Sequence, residues 1–148
     1  MTAFERGVVQ ENIESPQPIF VFNDTSLGST FDIVKSSGGT LFWAQIDNSL
    51  NSVPVFLQLF DNASPTVGTT AGDEIIAAPA GIFQAFHQIG LSTFSYVAIP
   101  GSSVTTITYL TSANPGKVFS TAITAAVTTS LIGANSPASP VSVTICYQ

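Results

Sequence analysis

Residues 40–60 read Thr40-Leu41-Phe42-Trp43-Ala44-Gln45-Ile46, then Asp47-Asn48-Ser49-Leu50-Asn51-Ser52, then Val53-Pro54-Val55-Phe56-Leu57-Gln58-Leu59-Phe60. Two runs of β-branched, aromatic and long apolar residues flank a cluster of turn formers, which predicts two strands joined as a β-hairpin. Pro54 has no N–H to donate, so it suits a strand start or a sheet edge. In the second strand Val55, Leu57 and Leu59 fall on one face, and Phe56 and Phe60 share the other with Gln58. Both faces are largely apolar. That predicts burial on two sides.

The same grammar runs outward in both directions. Turn chemistry recurs at Asp61-Asn62, Ser64-Pro65, Ala71-Gly72-Asp73, Pro79-Ala80-Gly81, Pro100-Gly101 and Asn114-Pro115-Gly116. Between these points lie short runs rich in Val, Ile, Phe and Thr, which predict strands near 19–22, 31–35, 74–78, 82–89, 94–99, 104–110 and 141–147. Residues 118–128 contain enough alanine for a helix. However, Phe119, Thr121, Ile123, Ala125 and Val127 alternate with small or polar residues in a Thr-rich segment, which predicts one strand. The expected fold is all-β: an antiparallel β-sandwich, jelly-roll-like, over residues 16–148, with a short extended N-terminal arm over 1–15. Pro16 and Pro18 mark the junction between arm and sandwich.

Charge is the unusual feature of this chain of 148 residues. Only 8% of its residues are charged, against about 25% in ordinary soluble domains. In residues 75–148 the one formal charge is Lys117. A surface so poor in charge does little to prevent association. It predicts a subunit that covers part of itself with copies or partners.

The charge balance also excludes partners. The formal net charge is -6, and Arg6, Lys35 and Lys117 are the only cations, so no patch can neutralise several phosphates. Nucleic acid is not an expected partner. No apolar run approaches the roughly 18 residues of a membrane span, and residues 1–15 lack a signal-peptide core. No membrane partner or export is expected. A single cysteine, Cys146, allows neither an intrachain disulfide nor a cysteine metal cluster.

Catalytic parts are equally scarce. His87 is the only imidazole, in Phe83-Gln84-Ala85-Phe86-His87-Gln88, and it has no Gly-x-Ser-x-Gly elbow or second histidine to work with. Asp47, Asp61, Asp73 and Glu74 sit at strand ends, where acidic residues commonly close turns. Calcium at Asp47, Asn48 and Asn51, or at Asp73 and Glu74, is the one metal site the residue types would allow, though no EF-hand pattern occurs. Trp43 lies mid-strand and reads as packing, and Cys146 reads as a small buried hydrophobe. No catalytic residue, cofactor or metal is expected.

Part of the chain resembles a known family. Leu41-Phe42, Ile46-Asp47-Asn48-Ser49, Asn51, Pro54-Val55-Phe56-Leu57, Leu59-Phe60-Asp61, Pro65-Thr66-Val67-Gly68-Thr69-Thr70 and Pro79-Ala80-Gly81 resemble small β-sandwich virion proteins of tailed bacteriophages, notably cyanophages. The resemblance covers about residues 39–99. Gln58 stands where that family often has lysine, and Gly72 where it often has proline. The resemblance implies a virion structural protein. It leaves head and tail positions open.

The first expectation is a capsid decoration, or cement, protein. It would be a homotrimer on the outer surface of the head, made in the host cytoplasm, that bridges subunits of the major capsid protein. A tail or neck subunit, as a ring or fibre-attachment component, is the alternative, with a carbohydrate-binding module third. The expected interface is apolar: Phe42, Trp43, Phe56 and Phe60 from the hairpin, and Phe4, Val8 and Val9 from the arm.

Overall fold

A computed structural model describes residues 19–81, 84–88, 96–99 and 116–148 of the chain, the second and third of these as backbone only. The expected arm, with Phe4, Val8 and Val9, and the expected strand at 104–110 lie outside the described residues.

Ten strands form among the described residues: β1 Phe20–Asp24, β2 Asp32–Lys35, β3 Gly39–Asp47, β4 Val55–Phe60 and β5 Glu74–Ala78. They continue as β6 Gln84–Gln88, β7 Tyr96–Ile99, β8 Lys117–Phe119, β9 Ile123–Thr128 and β10 Ser142–Tyr147. No helix occurs among the described residues. The strands build two antiparallel sheets, one in the order β1-β10-β3-β6-β7 with β8 also on β3, the other in the order β2-β9-β4-β5. The chain therefore changes sheet between β1 and β2, β2 and β3, β3 and β4, β5 and β6, β8 and β9, and β9 and β10. It is an all-β sandwich.

The core lies between the sheets. Leu41, Ala44, Ile46, Val143 and Ile145 from one sheet meet Val55, Leu57, Leu59, Ile123, Ala125 and Val127 from the other, all with no exposed surface. Truncating one of them, as in Leu57→Ala, costs about 2 to 5 kcal/mol. The two-residue period alone does not account for β3, because Leu41 and Ala44 both face the core. A bulge explains it: Cys146 pairs with Trp43 and Tyr147 with Leu41, which leaves Phe42 as the extra residue. On the other edge of β3, β6 pairs with 43–46 and β8 with 39–41, so the bulge marks the point where one neighbour hands over to the next.

Two expectations are corrected. Residues 40–46 and 53–60 are strands, with the second beginning at Val55, but they do not form a hairpin. β3 and β4 belong to different sheets. The reason lies in their connection, where the buried Asn48 amide donates to the carbonyls of Val53 at 3.0 Å, Ala78 at 3.2 Å and Pro79 at 3.0 Å. These bonds turn the chain across the sandwich instead of back along its own sheet. Residues 118–128 are likewise two strands in two sheets, broken at 120–122 where Asp61 captures the backbone.

The expected burial of β4 on both faces is present, and its cause is internal. On the outer face of the four-stranded sheet Phe60, Thr124 and Thr128 have no exposed surface and Gln58 has 2%. Gln58 Nε2 donates to Thr128 Oγ1 at 2.6 Å, and Thr124 Oγ1 donates to the carbonyl of Asn62 at 2.9 Å. Loops from opposite ends of the sandwich meet at Gly68, where a Cβ would stand 2.9 Å from that of Ala134. Gly68 also has a φ of +92°, so glycine suits both its conformation and its contact.

Candidate functional site

The strand register sorts the loops by end. Asp24 pairs with Val143, Asp47 with Ser142, Val55 with Ala78, and Phe56 with Thr128. Loops 25–31, 48–54 and 129–141 and residues 79–81 consequently gather at one end of the sandwich.

Backbone and amide bonds tie these loops into one surface. Asn51 Nδ2 donates to Ser139 O at 3.1 Å, Asn51 Oδ1 accepts Ser139 N–H at 2.9 Å, and the Asn51 carbonyl accepts Gly81 N–H at 2.9 Å. Leu27 N–H donates to Val141 O at 3.0 Å, and Ser29 N–H to Ser136 Oγ at 2.9 Å. Asn48 and Asn51 are both buried, which is what lets two side chains organise three connections. Two clefts of about 250 and 210 Å³ open here and share Ser26, Leu27, Gly28 and Ser136.

No Asp, Glu, Lys, Arg or His occurs in any of these loop segments. Instead they expose Leu50 at 67%, Val53 at 44%, Leu131 at 52% and Ile132 at 80%. Leu131 and Ile132 occupy the tip of a turn closed by the Gly133 N–H on the Ser130 carbonyl. Three carboxyl residues, Asp24, Asp32 and Asp47, lie at the strand ends beneath the loops. The other described charges, Lys35, Asp61, Asp73, Glu74 and Lys117, lie toward the opposite end. There Lys117 bonds to the Asp73 carbonyl and meets Glu74 Oε2 at 3.4 Å.

The residues expected at an interface are not brought together. Phe42 and Trp43 are in the six-stranded sheet, and Phe56 and Phe60 are in the other. Phe60 is fully buried and Phe42 nearly so by the chain's own atoms, whereas Trp43 and Phe56 are half-buried. Leu50, Val53, Leu131 and Ile132, the exposed apolar residues of this end, lie outside the expected interface. Their signal is an apolar residue among turn formers with no charge nearby.

The residues considered for calcium are engaged otherwise. Asp47 Oδ1 accepts Ser49 N–H at 3.0 Å, Asp73 Oδ2 accepts Asp61 N–H at 2.7 Å, and the two asparagines hold loops together. Among the described residues no three acidic, histidine or cysteine side chains cluster as metal ligands. Cys146 is buried, and burial pushes its thiol up. For His87 the backbone alone is described, opposite Ala44 and Tyr96.

Comparison with protein-family models, with curated proteins and with solved structures finds no match.

Proposed function

We propose that the chain is a structural subunit of a phage virion: a capsid decoration protein that docks on the outer surface of the head and bridges subunits of the major capsid protein. It binds and does not catalyse. What supports this is the uncharged loop end, where four bonded segments present Leu50, Val53, Leu131 and Ile132 to solvent. Burying one such side chain stabilises a contact by about 1.5 to 3 kcal/mol, whereas burying an unpaired charge opposes it strongly. A surface with the first and without the second suits protein contact.

The virion context rests on the resemblance of residues 39–99, and the wrapped connectivity of the two sheets suits a jelly-roll-like scaffold. A net charge of -6 suits a position facing solvent better than one facing packed DNA. As a homotrimer the protein would dock through several weak contacts at once, which together give firm retention.

The test is the position of the tagged protein in intact particles. Label spread over the whole head supports decoration. Label confined to the neck or tail replaces it with the tail reading.

A further inference from the structure

We propose that Asp24 and Asp32 form a latch between the two sheets, in which the carboxylic acid O–H of one donates to the carboxylate of the other and holds β1 and β2 together. Both residues line one cleft at the loop end of the sandwich. Asp24 pairs with Val143 and Asp32 with Ala125, both core residues, and directly paired residues point to the same side of a sheet. Both carboxyls therefore point inward, from the end strands β1 and β2 of opposite sheets.

Both line the smaller cleft, of about 210 Å³, together with Ser26, Ser29 and Ser136. Asp24 Oδ1 accepts Ser26 N–H at 2.7 Å, which fixes one carboxylate at the mouth of the loop. The loop itself is pinned at its centre, where Leu27 is buried and the Gly28 carbonyl accepts Val127 N–H at 2.8 Å. Loss of the latch would loosen the flanks of loop 25–31 and leave its anchor in place.

No cation neutralises the pair among the described residues that surround it. The neighbouring strands offer Val143 and Thr144 on β10, and Thr124 and Ala125 on β9, while loop 129–141 brings Ser136. Lys35, on β2 itself, points its amine at Gln148 O, and Asp47 stands two strands away opposite Ser142. A carboxyl facing another carboxyl gives up its proton less readily than one alone. The hydrogen bond with Asp24, then burial and the Asp24 charge, push Asp32 up to about 6.

The sign follows from linkage. The folded chain holds this proton more tightly than the unfolded chain, so the latch contributes fully below about pH 4 and is lost as the pH rises through about 6. Above that pH one proton has left to solvent and two carboxylates repel. This device is independent of the docking proposal and stands or falls without it.

The test uses carboxyl-carbon NMR titration of the full chain, together with amide-exchange protection of residues 25–31. A carboxyl step near pH 6 is expected, and it should move to about pH 4 in Asp24→Asn. Protection should fall severalfold between about pH 5 and 7.5 in the native chain. It should stay level in Asp32→Asn, whose amide goes on donating to Asp24. Titration of both carboxyls below about pH 5 overturns the latch, and so does an equal loss of protection in Asp32→Asn. If a variant does not fold, the native titration decides alone.

Discussion

The Asp61 carboxylate accepts both the backbone N–H of Ser120, at 2.9 Å, and the Ser120 hydroxyl, at 2.8 Å. Its other oxygen accepts the N–H groups of Thr121 at 2.6 Å and Ala122 at 3.3 Å. Four donors converge on one anion, led by the Ser120 N–H, and hold Asp61 down to about 2 against the opposing effect of burial. A residue at the end of β4 thereby ends β8 and starts β9, sending consecutive strands into different sheets.

Replacing Asp61 should therefore destabilise the fold. Asp61→Ala is expected to cost about 1 to 3 kcal/mol in urea unfolding, toward the lower end because the turn is open to solvent. The pH dependence has a definite sign. A lowered carboxyl contributes fully above about pH 4, and its contribution is lost as the pH falls toward about 2. The stability difference between the native chain and Asp61→Asn should shrink over that interval, and melts at stepped acid pH measure it.

Asn48 tests the crossing between sheets. Its amide satisfies three carbonyls, that of Ala78 buried and those of Val53 and Pro79 part-buried, while its own Oδ1 has no hydrogen-bond partner. Asn48→Ala should cost about 1 to 3 kcal/mol, since the buried Ala78 carbonyl loses its donor. Asn48→Asp should cost more at neutral pH, because it sets a buried carboxylate against those same carbonyls. Chemical denaturation of the two variants gives the order directly.

Two glycines separate backbone strain from collision. Gly81, with φ +69°, has nothing within 4 Å of an added Cβ, whereas Gly116, with φ +83°, would drive one into the Leu41 carbonyl and to 2.9 Å from the Phe42 ring. Gly81→Ala should lower stability by about 1 to 2 kcal/mol, the cost of the left-handed conformation. Gly116→Ala should lower it distinctly more, since β8 must move off β3 where the bulge at Phe42 leaves it room. Thermal melts of both variants decide.

Most strands were legible because each is a short apolar run bounded by turn formers, and β1 through β7 and β10 lie close to where those runs fall. Sheet membership was not legible. A turn cluster such as 47–52 announces a reversal but does not say whether the chain returns in its own sheet, and here one buried amide, Asn48, decides. The break at 120–122 has no glycine or proline to mark it, since its cause is Asp61, 59 residues earlier. Apolarity also cannot tell burial by a partner from burial by the chain's own loops, which is why Phe60 was expected at an interface and lies inside. The charge-free loops were plain in the sequence. Their gathering at one end required the register.

The docking end should tolerate charge in isolation and fail with it in assembly. Ile132→Glu and Leu50→Glu replace exposed side chains, so each should shift stability by no more than about 0.5 kcal/mol. Both should lower occupancy on the particle, because a carboxylate would be buried unpaired at the contact. Added salt should weaken native docking little, since none of the docking loops carries a charge to screen. Particle-bound protein, quantified after washing at low and high salt, checks both statements.

On the function proposed above, the uncharged loop end is the surface by which this protein joins its assembly. Hydroxyl-radical footprinting of the free protein and of the same protein on intact particles tests it most directly. Leu50, Val53, Leu131 and Ile132 should be labelled readily in the free protein and protected on the particle, while Val118 on β8, exposed toward the opposite end, should label equally in both. Protection of Val118 with unchanged labelling at Leu131 and Ile132 would contradict it.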